Sequence, residues 1–498
     1  MSANGPSTAR YLEVERKFDA DESTQPPSFD GIADVGRVEH AETQSLDAVY
    51  FDTPSRDLAL NRVTLRRRTG GLDAGWHLKL PAGPDARTEV RAPLDTTDSS
   101  TVPTELLDVV LAIVRDRPVS PVARISTTRQ VRLLHGVDNA VLAEFCDDHV
   151  TAGQGADGTT SEQRWREWEL ELVDPGTNSA LMDELCDRLL DAGARPAGHG
   201  SKLARVLGTS PKGLPAEPMH RALAEQIDEL LVWDRAVRAE ADDAVHQMRV
   251  TARKIRSLLQ AAPDSFGLAD DAPIVDELRE LGNVLGVARD AEVLADRYRS
   301  ALDDVPPELV RGPIRERLVD GAEQRYRSGL RHALSALRLP RYFRLLDDLD
   351  ALVDEAPSAG REPAPATVAA AAKKVYKAAK SARRAARGAD RDDAIHRIRK
   401  RAKRLRYTAD ATGAKKVSKR AKKLQSLLGD HQDSVVSREH LVQQAQAAHA
   451  AGEDTFTYGL LYQREAELAL DSRRQLQPKL SQLYKAVRKL SGAGRDLL

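Results

Sequence analysis

Glu13, Glu15 and Lys17 alternate along residues 11–18 (YLEVERKF). In a strand successive side chains point to opposite faces, so these three share one side. Glu169 and Glu171 repeat the arrangement, with Trp168, Leu170 and Leu172 on the other side. Arg66 and Arg68 share a face, as do His77 and Lys79. One such strand ordinarily turns its charged face to water. The set argues for something else, because acidic pairs fall on two strands and basic pairs on others. A closed barrel with a polar lumen accommodates that pattern. Carboxylates crowded in a lumen repel unless cations lie between them, and hard divalent cations prefer oxygen ligands. Arginines and lysines facing them suit phosphate oxygens. The chemistry implied is the holding of a metal-chelated polyphosphate chain.

A second constellation lies far along the chain. His246, Arg249, Arg253 and Arg256 are spaced 3, 4 and 3, and His396, Arg399, Lys403 and Arg406 repeat that spacing 150 residues later. Such residues fall on one helix face in successive turns. Val245, Met248, Ala252 and Ile255 form an apolar stripe beside the first row, echoed by Ile395, Ile398, Ala402 and Leu405. Each helix can pack inward and still present a cationic row. Like charges stacked at helical spacing destabilise a helix, so the repeated rows point to an anionic partner.

The elements that must carry these residues are of two kinds. From Tyr11 to about Glu171 the period is two, with turn-rich breaks at 69–71, 81–84 and 152–158, which reads as antiparallel β structure. Residues 104–116 and 179–192 read as helices inserted among the strands. Beyond a Pro- and Gly-rich stretch near 208–218 the period becomes helical and remains so. Segments 242–256 and 392–406 match, and Leu281, Leu285-Gly286 and Asp290 match Leu424, Leu428-Gly429 and Asp433. The helical half is therefore expected to be two copies of one unit, divided by the punctuation from Pro357 to Pro365. The expectation is an α+β protein of two modules: an N-terminal antiparallel β-barrel tunnel, then an all-α domain of two repeated helical bundles. Boundaries are expected at 1–9 (a disordered tail), 10–207 (the tunnel), 208–219 (a linker) and 220–490 (the helical domain, with repeats at about 220–355 and 366–490).

Composition limits the function classes. The net charge of −1 hides an asymmetry, since residues 373–423 hold 21 Lys and Arg against 4 Asp. That part is built to meet polyanions. Nucleic acid is a weaker reading than phosphate chains: Tyr376 and Tyr407 give little aromatic interleaving for base stacking, and no helix-turn-helix or zinc signature occurs. The two cysteines, Cys146 and Cys186, make neither a disulfide framework nor a zinc cluster. With no apolar run of about 18 residues and no apolar core near the N-terminus for a signal peptide, a cytoplasmic location is expected.

On these residues the N-terminal half resembles the CYTH domains, the triphosphate tunnel metalloenzymes. Glu13-x-Glu15-x-Lys17 is similar to their ExExK signature, and Tyr50-Phe51-Asp52-Thr53 to their YFDT segment. Leu65 to Arg68, Trp76 to Lys79, Arg129, Glu169-x-Glu171 and Ser201-Lys202 follow in the family's order over residues 10–207. The resemblance implies that Glu13, Glu15, Glu169 and Glu171 hold Mg²⁺ or Mn²⁺. It implies that Lys17, Arg66, Arg68, Lys79, Arg129 and Lys202 grip a triphosphate, and that Lys202 or Lys79 orients or deprotonates the attacking water. A further acidic residue is expected within 141–149. Glu144, Asp147 and Asp148 are all candidates; Glu144 and Asp148 share parity, and Glu144 is preferred for the metal set. The helical half resembles a CHAD domain over about 220–490. That resemblance implies binding of long-chain inorganic polyphosphate through His246, Arg249, Arg253, Arg256, His396, Arg399, Lys403 and Arg406, with Lys254 and Arg404 as additions and the Lys415–Lys423 run as an extension. The expected activity is metal-dependent hydrolysis of inorganic tripolyphosphate, with association with polyphosphate granules a further possibility. Adenylyl cyclase or thiamine-triphosphatase activity in the same tunnel, or a non-enzymatic granule-binding protein, are the alternatives.

Overall fold

The structure, a computed structural model, describes residues 9–83, 85–94, 101–174, 179–269, 271–354, 365–384 and 389–491. The expected tail before Ala9 and residues 355–364 of the second punctuation lie outside the described residues. The chain divides into two compact units, 1–213 and 214–498.

The first unit contains β1 (Ala9–Ala20), β2 (Arg37–His40), β3 (Gln44–Asp52), β4 (Thr64–Thr69), β5 (Gly75–Pro81), β6 (Ala86–Ala92), β7 (Ser120–His135), β8 (Val141–Gln154), β9 (Thr160–Leu172) and β10 (Arg195–Pro196). Its helices are α1 (Asp57–Leu60), α2 (Thr104–Val109), α3 (Leu111–Val114), α4 (Ser179–Asp191) and α5 (Lys202–Leu207). Strand order runs β1-β6-β5-β4-β3-β7-β8-β9, and β9 pairs back to β1, closing an eight-stranded antiparallel barrel. Closure depends on the length of β1: its first half pairs with β6 and its second half with β9. The tight β4–β5 turn needs glycine, because Gly70 has φ 78° and a Cβ there would lie 2.0 Å from the Ser45 carbonyl oxygen.

The alternation sorts side chains as the sequence suggests. Phe18, Phe145, Trp168, Leu170 and Leu172 pack outward under Leu181, Met182, Leu185 and Leu189 of α4. Inside, Tyr50, Ile125, Val150 and Trp165 meet Leu203, Val206 and Leu207 of α5, so this short helix fills one end of the lumen. The stretch 104–116 is two helices, not one. Three-residue turns at Val110 (2.8 and 3.1 Å) tighten the backbone and break it there.

The second unit is helical: α6 (Pro218–Arg238), α7 (Ala244–Ala261), α8 (Pro273–Asp303), α9 (Gly321–Ala336), α10 (Pro340–Asp354), α11 (Pro365–Arg384), α12 (Ala389–Ala411), α13 (Lys415–Ala450) and α14 (Phe456–Ser491). The apolar stripe of α12 (Ile395, Ile398, Ala402, Leu405) joins α11, the first half of α13 and the end of α14 in one core. The rest of α13 and the start of α14 pack on the end of α8 through Leu441, Tyr458, Leu461 and Tyr298. Among the described residues no helix is long and apolar enough to cross a membrane.

Candidate functional site

Strand register turns the alternation into rows across the lumen. Glu15 lies opposite Glu171, and Glu171 opposite Glu144, so three carboxylates stand side by side on β1, β9 and β8. Like charges directly opposite one another destabilise a sheet. The adjacent row runs Lys17, Glu169, Cys146, and the next Asp19, Glu167, Asp148, Arg129. Across the barrel, Tyr50, Arg66, His77 and Arg91 form one row, and Thr64, Lys79 and Glu89 another.

Near α5 the charges are matched. The Lys202 ammonium lies 2.7 Å from Glu167, 2.8 Å from Glu169 and 2.9 Å from Asp148. Arg129 forks onto both Asp148 oxygens at 2.8 and 2.7 Å and also reaches Glu169. Lys17 bridges Glu169 and Glu15, the latter at 3.0 Å. Burial opposes the charge on Lys202, but Asp148, Glu167 and Glu169 hold its pKa well above the ordinary lysine value. Burial likewise opposes ionisation of Glu169, and Lys17, Lys202 and Arg129 outweigh it and hold this carboxyl well below its usual range. Asp148, Glu167 and Glu169 bring oxygens within 4.8 Å of one another, a spacing that could hold a metal. Lys202 already sits among all three, so this cluster has its cation.

The row beyond is different. Among the described residues Glu171 has no ion-pair partner. Burial, with Glu13, Glu15 and Glu144 nearby, pushes its pKa up to about 7. Burial also raises Glu13, against the pull of Lys79 at 2.6 Å. Glu15 is buried too, yet Lys17, Lys79 and Arg87 bring it down to about 2. Glu13, Glu15, Glu144 and Glu171 thus form a hard-oxygen donor set whose charge the protein leaves partly uncompensated. That composition fits a divalent cation such as Mg²⁺ or Mn²⁺.

On the opposite wall Glu89 is taken up by His77 and Arg91, and the arginines of β4 are left short of acceptors. Arg66 meets no carboxylate among the described residues; the Tyr50 hydroxyl, 3.4 Å away, is its partner. The Nε groups of Arg66 and Arg68 are buried without an acceptor. Arg68 pairs with Asp73, but burial, Arg66 and Arg129 bring its pKa down to about 9. Buried donors without acceptors are uncommon and costly, and here they line the lumen.

Supporting contacts fix these groups. Ser201 caps α5 by accepting from the Ala204 amide at 3.1 Å, which starts the helix at Lys202. Arg87 ties the Gly200 carbonyl to Glu15, 3.3 Å away. His77 is fully buried, with Nδ1 2.9 Å from Glu89 and Nε2 2.9 Å from the Asp73 carbonyl. Asp52 of the YFDT segment accepts amides of Thr53, Leu58 and Ala59 and so anchors α1. Asp147 points outward and is gripped by Arg166 at 2.7 and 2.8 Å, away from the lumen. Glu144 lies in the carboxylate row and accepts from the buried Cys146 thiol at 3.1 Å. Glu167 and Glu89 face the lumen outside the expected set of site residues. Glu167 was legible, since it extends the Glu169, Glu171 parity by one step. Glu89 shares its face with Arg87 and Arg91, and only register places it beside Lys79.

In the helical unit α7 and α12 pack together and bring the two rows to one place. Lys403 is influenced by Arg253, Arg399, Arg249 and Arg256; burial first, then these four cations, push its pKa down to about 6. Burial, with Arg249, Arg399 and Arg256, brings Arg253 down to about 10, and its Nε is buried without an acceptor. Arg249 pairs with the exposed Asp290 at 2.7 Å, and Arg406 lies 3.4 Å from the Gln425 side chain. His246 and His396, at the heads of the rows, are both shifted down by burial, then by Arg289 and by Lys400 respectively. The paired Leu-Gly motifs gain a physical reason. A Cβ at Gly286 would lie 3.1 Å from the Arg249 guanidinium, and one at Gly429 3.4 Å from that of Arg399. Lys254 is paired with Glu229 at 3.0 Å.

Comparison with known proteins agrees with this division. The CYTH domain model matches residues 12–180 and the CHAD domain model residues 221–442. An uncharacterized protein of Mycobacterium tuberculosis (strain CDC 1551 / Oshkosh) is 65% identical over 511 residues, covering 98% of this chain and 99% of that one. Among solved structures, PptA from Streptomyces chartreusis is 19% identical with a TM-score of 0.45, covering 53% of this chain and 98% of that one. The CHAD domain from the plant Ricinus communis is 24% identical with a TM-score of 0.37, covering 58% and 98%.

Proposed function

We propose that this chain, which belongs to the proteins that join a CYTH domain to a CHAD domain, hydrolyses inorganic tripolyphosphate in its β tunnel and binds long-chain polyphosphate on its helical unit. The observation that carries the reading is the split of the lumen into two walls whose charge the protein compensates only in part. Among the described residues Glu171 stands beside Glu13, Glu15 and Glu144 with no ion-pair partner, Lys79 acting on it only from a distance, while Arg66 and Arg68 present buried Nε groups without acceptors. A metal-chelated phosphate chain satisfies both at once, cation against the acidic row and phosphoryl oxygens against the arginines. A divalent cation held by Glu13, Glu15, Glu144 and Glu171 would shield and polarise the phosphoryl oxygens.

The chain's own residues do the rest. Arg66, Arg68, Arg129, Lys17 and Lys79 bind and orient the phosphates and oppose charge that builds on the departing group. Lys202 is held as an ammonium by three carboxylates. Its part is therefore to donate hydrogen bonds and orient the attacking water or the phosphoryl oxygen, not to take a proton. The α5 plug excludes water from one end of the lumen.

In the helical unit, Arg249, Arg253, Arg256, Arg399, Lys403 and Arg406 gather with few carboxylates, and His246 and His396 head the two rows. A polyphosphate chain supplies the missing charge, and its binding is expected to weaken steeply with salt through counterion release. This surface would place the protein on polyphosphate granules. The test is orthophosphate release by the full chain from tripolyphosphate, thiamine triphosphate, ATP and long-chain polyphosphate in parallel, with Mg²⁺ or Mn²⁺ and then with EDTA. Chelator-sensitive release from tripolyphosphate is expected. Turnover of ATP to pyrophosphate and a cyclic product would make the tunnel a cyclase, and no turnover with tight long-chain binding would leave a binding protein.

A further inference from the structure

The helix α12 is cationic on two faces. At about 100° per residue, Arg399, Lys403 and Arg406 cluster on one side, and Arg401, Arg404 and Thr408 fall roughly 160° away. On that second side a cavity of about 170 Å³ opens between the end of α7, α11 and α12. Its polar lining is Lys374, Arg401, Arg404, Thr408 and Gln260, and Ala371 leaves space beside them. Arg404 donates to the Gln260 carbonyl at 2.9 Å, which holds its guanidinium at the cavity wall. The Thr408 hydroxyl donates to the Arg404 carbonyl at 3.0 Å. Among the described residues none of the three cations meets a carboxylate.

The internal repeat shows that this is not a property of the unit as such. At the 150-residue offset Thr251 stands where Arg401 stands, and Leu258 where Thr408 stands. Lys254 stands where Arg404 stands, and there Glu229 neutralises it at 3.0 Å. Among the described residues the second copy gathers three cations round this cavity without a carboxylate partner, and the first copy does not repeat them. Like charges placed together without compensation destabilise the fold, and a bound anion removes that cost. The size selects among anions. A cavity of about 170 Å³ has room for one or two phosphoryl groups within its walls.

We propose that this pocket is a second anion site, distinct from the groove between the two basic rows, and that it takes a short phosphoryl oxyanion, orthophosphate or pyrophosphate. Lys374 and Arg401 are exposed and supply the mobile charges, and Arg404 supplies the fixed one. The site does not depend on what the tunnel or the groove does.

The test uses the full chain in EDTA, titrated calorimetrically with pyrophosphate and with orthophosphate, beside the Lys374→Gln/Arg401→Gln variant. Both side chains are exposed and the variant loses two like charges, so without anion it is expected to unfold at or slightly above the parent's thermal midpoint, and tunnel and groove contribute equally to both proteins. The variant should lose one binding event per chain, with at least a tenfold fall in affinity at that site. In the parent protein pyrophosphate should protect Lys374 from acetylation, read by mass spectrometry. Equal stoichiometry in the two proteins and no protection of Lys374 would overturn the proposal. Protection by long-chain polyphosphate but by neither short anion would also overturn it, because the pocket would then be part of the chain-binding surface.

Discussion

Lys403 offers a prediction whose size follows from its surroundings. It sits where α7 and α12 meet, faced by Arg399 on its own helix and by Arg249, Arg253 and Arg256 across from it. Burial and these four cations bring its pKa down to about 6, so at pH 8 only about 1% of free protein carries this charge. A bound polyanion reverses the balance and draws the pKa back toward the ordinary lysine value. Binding therefore takes up a proton between pH 6 and that higher pKa. The sign follows: affinity falls as pH rises, by up to about tenfold per pH unit for one proton. Between pH 7.5 and 9 the affinity for long-chain polyphosphate should drop up to about 30-fold from this group. That window lies above the range in which His246 and His396, both shifted down, change charge in the free protein. In Lys403→Arg the charge is permanent, and the slope over the same window should flatten by close to one proton. The assay is calorimetry in two buffers of different ionisation enthalpy, which counts protons directly. Equal slopes and equal proton uptake in parent and variant would refute the reasoning.

Other consequences follow from particular contacts. Glu171→Gln removes one of three adjacent carboxylates, so the metal-free protein should unfold about 1–3 °C higher, while its stabilisation by Mg²⁺ or Mn²⁺ shrinks; thermal unfolding with and without EDTA reads both. Gly286→Ala should raise helix stability by about 0.5–1 kcal/mol yet weaken long-chain binding several-fold, because the new methyl would lie 3.1 Å from the Arg249 guanidinium and displace it. Arg66→Met strands no carboxylate, so it should fold normally and lower kcat/KM for tripolyphosphate by about 10²-fold, measured by phosphate release and circular dichroism.

Much of this was legible because period-two alternation survives translation into a barrel. Glu13, Glu15, Lys17, Arg66, Arg68, Lys79, Glu169 and Glu171 needed only parity to be put on one side. What parity could not supply was register. The adjacency of Glu15, Glu171 and Glu144 exists because β1 pairs with β9 and β9 with β8 at those positions, and the first of these contacts joins residues 156 apart in the chain. The same holds for Lys202. Its place among Asp148, Glu167 and Glu169 depends on α5 entering the lumen, and a six-residue helix carries too little periodicity to announce that. In the helical half the repeat exposed the two rows, and only packing showed that they meet at Lys403. The cavity beside Arg401 was hidden for a different reason: it lies where the two copies differ, and a repeat draws the eye to where they agree.

The central claim is that the carboxylates of the lumen serve metal-dependent turnover of a triphosphate. The most direct measurement is orthophosphate release from tripolyphosphate by the full chain and by Glu169→Ala/Glu171→Ala, each with Mg²⁺ and with EDTA, alongside salt-dependent binding of long-chain polyphosphate. Fast release by the parent protein only when the metal is free, no release by the variant, and long-chain binding that the two proteins share are expected. Equal turnover in the variant, or release indifferent to EDTA, would contradict that claim.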